Sequence, residues 1–152
     1  MNKNKILLLL SIFVIGLIVY LYYFFNNSYS LSFSARAHLE AGEYQQALEE
    51  ATQSYELDHY NRMAFTVMNQ ANESLKWVTF IKQSRGYLKK IETMSYNKGL
   101  SNSEVARIKI MCDITLENHE KLKSAKMLQI ETLEIEAEAL IEQFQLIYKH
   151  LF

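Results

Sequence analysis

The sequence predicts an all-α protein, and three observations carry that reading. The chain of 152 residues has no proline and four glycines, whereas a β-rich fold of this size needs many tight turns that draw on those two residues. Apolar and small side chains recur at three- and four-residue intervals along much of the chain, the spacing of one helix face. One uninterrupted stretch, residues 6–25, carries no charge. The length suits one modest domain with an accessory segment.

The accessory segment comes first. Residues 1–5 hold Lys3 and Lys5 and no acid, and they precede ILLLLSIFVIGLIVYLYYFF at 6–25. Such a run is long enough to cross a hydrocarbon core of about 30 Å. The positive-inside rule keeps residues 1–5 in the cytoplasm and places 31–152 beyond the bilayer, in the periplasm of a bacterium. Tyr20, Tyr22 and Tyr23 cluster at the far end, where amphipathic rings prefer the interface. The rival reading is a cleaved secretory signal, whose apolar core is normally about 7–15 residues. The weak small-x-small pattern at Ser32-Phe33-Ser34 lies well past the apolar run. No Gly or Pro occurs between Gly16 and Gly42. The anchor is therefore able to continue, with a soft spot at Asn26-Asn27-Ser28, into the first soluble helix.

Two helices follow. Leu31, Ala35 and Leu39 repeat at i, i+4, i+8, and Gly42 supplies the positive-φ residue that ends a helix. A second stripe runs Tyr44, Ala47, Leu48, Ala51, Tyr55, with Leu57 closing it and Gln45, Gln46, Glu49, Glu50 and Gln53 mainly opposite. The alanines let two antiparallel helices approach closely. A shift of 34 residues carries Leu31 to Phe65, Ala37 to Ala71, Tyr44 to Val78, Ala47 to Ile81 and Leu57 to Ile91, keeping apolar or small character. Gly42 maps to Lys76, so that turn is changed. Helices are expected near 62–74 and 75–94, broken at Asn72 to Ser74. Trp77, Phe80, Ile81, Leu88 and Ile91 make a broad buried stripe there.

The pattern G-x-Y-x-x-A-L at 42–48, followed by Leu57-Asp58, resembles the tetratricopeptide repeat, a 34-residue helix–turn–helix unit. The matching residues are Leu31, Ala35, Gly42, Tyr44, Ala47, Ala51 and Leu57. Leu31 stands where the family has its first large aromatic, Ala35 replaces its tight-packing glycine, and His59 replaces its usual proline. The resemblance covers 31–94 with falling quality. It implies a short TPR-like α-solenoid of antiparallel helical hairpins. It also implies a concave groove, formed by the first helix of each unit, that holds a peptide or another protein's helix. In this chain the groove would be lined by Tyr29, Ser32, Arg36 and Leu39, then Met63, Thr66, Gln70 and Ser74. Arg36 is the cation among them, suited to a partner's carboxylate.

Residues 95–102 read as a loop, and Ser101 with Glu104 forms a capping-box pattern that opens a helix. The segment 103–152 is expected to be a helical hairpin. A break near Glu117-Asn118-His119 would precede a long capping helix over about 120–150. The stripe Leu133, Ala137, Leu140, Phe144, Ile147 and Leu151 has coiled-coil-like spacing. It either covers the end of the solenoid or forms a seam for a partner or a homodimer.

No constellation for chemistry emerges. The sole cysteine, Cys112, lies among Ile110, Met111 and Ile114 and reads as a buried small hydrophobe. His119 to Lys123 begins like a zinc-protease helix but has Lys123 where the second histidine belongs. Glu131, Glu134, Glu138 and Glu142 read as a solvated face. Net charge is −1, with no basic face for nucleic acid. The expectation is therefore a protein that is not an enzyme and uses no cofactor or metal. It would act as a membrane-anchored scaffold or assembly factor for a bacterial envelope complex of flagellar-motor, pilus or secretion type. Its partner would be a periplasmic or inner-membrane protein. The alternative is a periplasmic chaperone that holds newly translocated chains near the translocon. Met63, Met68, Met94, Met111 and Met127 would suit promiscuous binding.

Overall fold

A computed structural model describes residues 3–25, 27–96, 99–125 and 131–152. Among these residues the chain forms six helices and no strand: α1 (Lys3–Phe25), α2 (Asn27–Glu40), α3 (Tyr44–Leu57), α4 (Arg62–Ser95), α5 (Asn102–Ala125) and α6 (Glu131–Leu151). They fall into two compact units, Met1–Asn72 and Glu73–Phe152, with the boundary inside α4.

In the first unit, α1 is long and apolar enough to cross a bilayer, and its window Lys5–Tyr22 is unburied by the rest of the protein. At 1.5 Å per residue the helix spans ~35 Å. Asn26, part of the expected soft spot, lies outside the described residues, as does the side chain of Tyr23. α2 and α3 form an antiparallel hairpin. Gly42 turns the chain at φ 80. Its N–H donates to the Leu39 carbonyl at 3.1 Å and that of Glu43 to the His38 carbonyl at 2.9 Å. Those two bonds are the paired closure of a helix that ends on a left-handed residue. Ala35, Ala47, Ala51, Val67 and Ala71 make the core of α2, α3 and the start of α4. A core built mostly of alanine brings helix backbones close together.

The second unit is built from the rest of α4 with α5 and α6. Trp77, Phe80 and Ile81 pack with Ala137, Leu140 and Ile141; Ile91, Ile108, Cys112 and Phe144 form a second cluster. The capping box at the start of α5 is present. Ser101 N–H and Oγ both donate to Glu104 Oε2, at 2.8 and 2.7 Å, and the Glu104 N–H donates to Ser101 Oγ at 3.3 Å.

Two expected breaks are absent. α4 runs unbroken through Asn72 to Ser74. Lys76 stands where a turn would need a positive-φ residue, and Asn costs a helix only a few tenths of a kcal/mol. A single helix therefore replaces the second hairpin. α5 likewise continues through Glu117-Asn118-His119 to Ala125. His119 is buried there, with Trp77 at 6.1 Å and Phe80 at 5.8 Å between ring centroids. Burial against two aromatic rings holds in the helix a residue that is neutral to unfavourable by propensity alone. The last helix thus starts at Glu131 rather than near 120, and residues 126–130, including Met127, lie outside the described residues.

Candidate partner-binding groove

Five of the eight expected groove residues come together. Arg36 and Leu39 on α2, with Met63, Thr66 and Gln70 on α4, line one groove of about 370 Å³. Glu40, Arg62 and Val67 complete its walls. Arg36 on α2 and Arg62 and Thr66 on α4 are exposed, while Leu39, Met63 and Gln70 are half-buried. The lining is thus an apolar floor with polar and charged groups above it.

The charges in the groove differ from expectation. Arg36 Nε donates to Glu40 Oε1 at 2.9 Å, an exposed i, i+4 pair on α2. Arg62 forms no ion pair among the described residues, so it is the cation with an unengaged charge. Arg62 is not among the eight expected residues, although it stands one turn before Thr66 on the same helix face. The Thr66 hydroxyl is already used, donating to the Arg62 carbonyl at 2.8 Å.

The other three expected residues lie elsewhere. Ser32 is fully buried and its Oγ donates to the Tyr29 carbonyl at 2.9 Å. Tyr29 is half-buried and lines no part of the groove. Ser74 is buried and belongs to the second unit. The buried stripe of α2 is Ser28, Ser32 and Ala35. Serines read as surface residues, but here their hydroxyls find partners inside.

Those partners form a polar cluster centred on Asn61, which is 1% exposed. Asn61 Nδ2 donates to Ser28 Oγ at 2.9 Å and reaches Ser32 and Ser54 Oγ at 3.3 Å each. Ser28 and Ser54 also exchange hydroxyl-to-carbonyl bonds, at 2.8 and 2.6 Å. Asn61 Oδ1 accepts the N–H groups of Met63 and Ala64, both at 3.1 Å. This is an N-cap that ties the start of α4 to α2 and α3, and so fixes where Met63, Thr66 and Gln70 stand. An Asn just before an apolar helical run is a legible capping signal. The serine partners, 7 to 33 residues away, leave no local sign.

At the α2–α3 turn, His38 Nδ1 bonds Glu43 and its Nε2 lies 3.5 Å from Glu50. The Glu43 carboxylate raises the imidazole pKa above its usual 6.5. In the second unit, burial lowers the pKa of His119 and raises that of the Cys112 thiol. The thiol is therefore held in its protonated, unreactive form. Among the described residues no group of three His, Cys, Asp or Glu side chains is placed to hold a metal ion.

The α6 stripe, expected either to cover its own helices or to form a seam, is packed within the chain. Ala137, Leu140 and Phe144 are buried in the second unit's own clusters, Leu133 and Ile147 pack against them, and Leu151 is exposed at the helix end. No family model, no curated protein and no solved structure matches the chain.

Proposed function

We propose that the chain is a non-enzymatic, membrane-anchored interaction module whose α2–α3 hairpin and following helix act as a tetratricopeptide-like recognition groove. In this reading it serves as a scaffold or assembly factor for a bacterial envelope complex. α1 would cross the inner membrane once with its N-terminus in the cytoplasm. The supporting observation is the groove itself, where Arg36, Leu39, Met63, Thr66 and Gln70 share one concavity with Arg62. A half-buried apolar floor with an unengaged guanidinium suits a partner segment that offers an apolar side chain and a carboxylate. The pair Arg36–Glu40 holds one side and leaves Arg62 to meet the partner.

In-cell crosslinking of tagged full-length protein, read by mass spectrometry, tests this. One dominant envelope protein in near-stoichiometric yield, lost in Arg62→Glu and weakened in Arg36→Glu with helicity unchanged, is the expected result. A broad set of unfolded or nascent envelope proteins would replace the scaffold with the chaperone reading. Capture that survives both substitutions would move the binding surface away from this groove.

A further inference from the structure

The second unit has a groove of its own, bounded by α4 and α5 with no lining residue from α6. It measures about 690 Å³ and is lined by Tyr87, Met94, Ile110 and Met111, with Lys89, Lys90 and Arg107 among them and no carboxylate. Among the described residues none of these three cations is in an ion pair; Lys90 instead sits 5.8 Å from the Tyr87 ring centroid. Ile110 is 57% exposed. Gly86 also lines the groove, and a Cβ added there would meet nothing within 4 Å. Glycine is disfavoured in a helix interior, and no packing inside the chain calls for it here. A bare backbone at a groove wall permits close approach from outside.

The complement to this surface lies on the same unit. Residues 73–130 carry eleven Lys and Arg against six Asp and Glu, whereas 131–152 carry one Lys against five Glu. The core face of α6 is spent on Ala137, Leu140 and Phe144. Its opposite face presents Glu131, Ile135, Glu138, Glu142 and Leu146, at i, i+4, i+7, i+11 and i+15. All five are exposed, with Ile135 at 63% and Leu146 at 58%. Glu138 is held by Lys123 at 3.4 Å. Glu131 and Glu142 have no ion pair among the described residues. Among the described residues, a helix face with large apolar side chains between carboxylates outside any ion pair matches in charge and chemistry a groove with an apolar floor and cations outside any ion pair. Glu131 and Glu142 stand ~16 Å apart along their axis, and the groove runs ~12 Å along α4 from Gly86 to Met94.

We propose that the outer face of α6 in one copy of this chain docks in the α4–α5 groove of a second copy, its Glu131 and Glu142 meeting Lys89, Lys90 and Arg107. Stripe and groove are different surfaces, so two copies close a dimer only if each docks in the other about a two-fold axis; otherwise assembly grows past two copies unless a larger ring closes. This contact is independent of the α2–α4 groove.

The test is sedimentation of the full-length chain in density-matched detergent, at low and high salt. Wild type is expected to form species larger than a monomer whose population falls as salt screens the charges. Lys90→Glu with Arg107→Glu, and separately Glu131→Lys with Glu142→Lys, should each weaken association by about tenfold or more. The four changes together should restore it, because the signs are exchanged. Trp77 emission and far-UV circular dichroism confirm that each variant is folded. A wild type that stays monomeric up to about 100 μM overturns the proposal, as does association that none of the changes weakens. Loss in the groove variant without recovery in the fourfold variant also overturns it. Flotation with phosphatidylglycerol vesicles would then identify the groove as a site for anionic lipid.

Discussion

Asn61 joins three helices through one side chain, and replacing it with alanine tests how the α2–α4 groove is held. The substitution removes the N-cap of α4, at about 0.5–2 kcal/mol. It also removes the amide that contacts three serine hydroxyls, one at 2.9 Å and two at 3.3 Å. Net hydrogen bonds contribute about 0.5–1.5 kcal/mol each, and the long ones less. Each serine hydroxyl keeps a carbonyl to which it donates, so the donors left without a partner are the Met63 and Ala64 N–H groups that the cap had satisfied. The loss should total about 2–4 kcal/mol, which lowers hydrogen-exchange protection of slow α2, α3 and early α4 amides about 30- to 800-fold. The assay is exchange of the full chain in detergent, read by mass spectrometry. Asn61→Asp separates the two roles. It keeps the capping oxygen and adds a charge favourable at a helix N-terminus, but it turns an oxygen toward hydroxyls that already donate elsewhere. It should destabilise at least as much as alanine. Protection unchanged in Asn61→Ala, or wild-type protection in Asn61→Asp, would refute the argument that the serine cluster fixes the helix.

Three further outcomes follow from the geometry. Gly42→Ala should destabilise the first unit by about 1 kcal/mol because of its positive φ, whereas Gly86→Ala should stabilise the second by about 0.5–1 kcal/mol, since the helical backbone is unstrained and the added methyl meets open space; denaturant unfolding of each reads the sign. Phe144→Ala empties a fully buried site between α4, α5 and α6 and should cost about 3–5 kcal/mol, seen as a shift of the Trp77 emission transition. The two histidines should respond oppositely to pH. His38, raised in the fold, contributes stability that is fully present below 6.5 and lost as pH rises through its folded pKa. His119, lowered in the fold, contributes stability present above 6.5 and lost as pH falls through its folded pKa. Exchange rates of the two units across pH 5–8 should diverge accordingly, and parallel profiles would contradict the assignment.

Much of this protein is legible in its sequence because the signals are local. The all-α class follows from the lack of proline and the three-four periodicity. The apolar helix is a matter of length, the α2–α3 turn of Gly42, and the start of α5 of Ser101 and Glu104. The stripes of Trp77, Phe80 and Ile81 and of Ala137, Leu140 and Phe144 are periodic, so their burial could be anticipated. The tertiary structure decided what those signals leave open. A weak breaker such as Asn72 or His119 ends a helix only where a turn residue follows or packing is lost; Lys76 supplies no turn after the exposed Asn72, and Trp77 and Phe80 bury His119. The serines at 28, 32 and 54 are buried with their hydroxyls donating to backbone carbonyls and accepting from Asn61, which no periodicity reveals. Arg62 joins Arg36 in one groove through pairing between helices some 26 residues apart in the chain. Whether the α6 stripe covers its own helices or forms a seam was open in the sequence, and α4 and α5 cover it. Caps, turns and periods act over a few residues and are written in order along the chain; which faces meet is settled by burial across long separations, where polar and apolar side chains compete for the same interior.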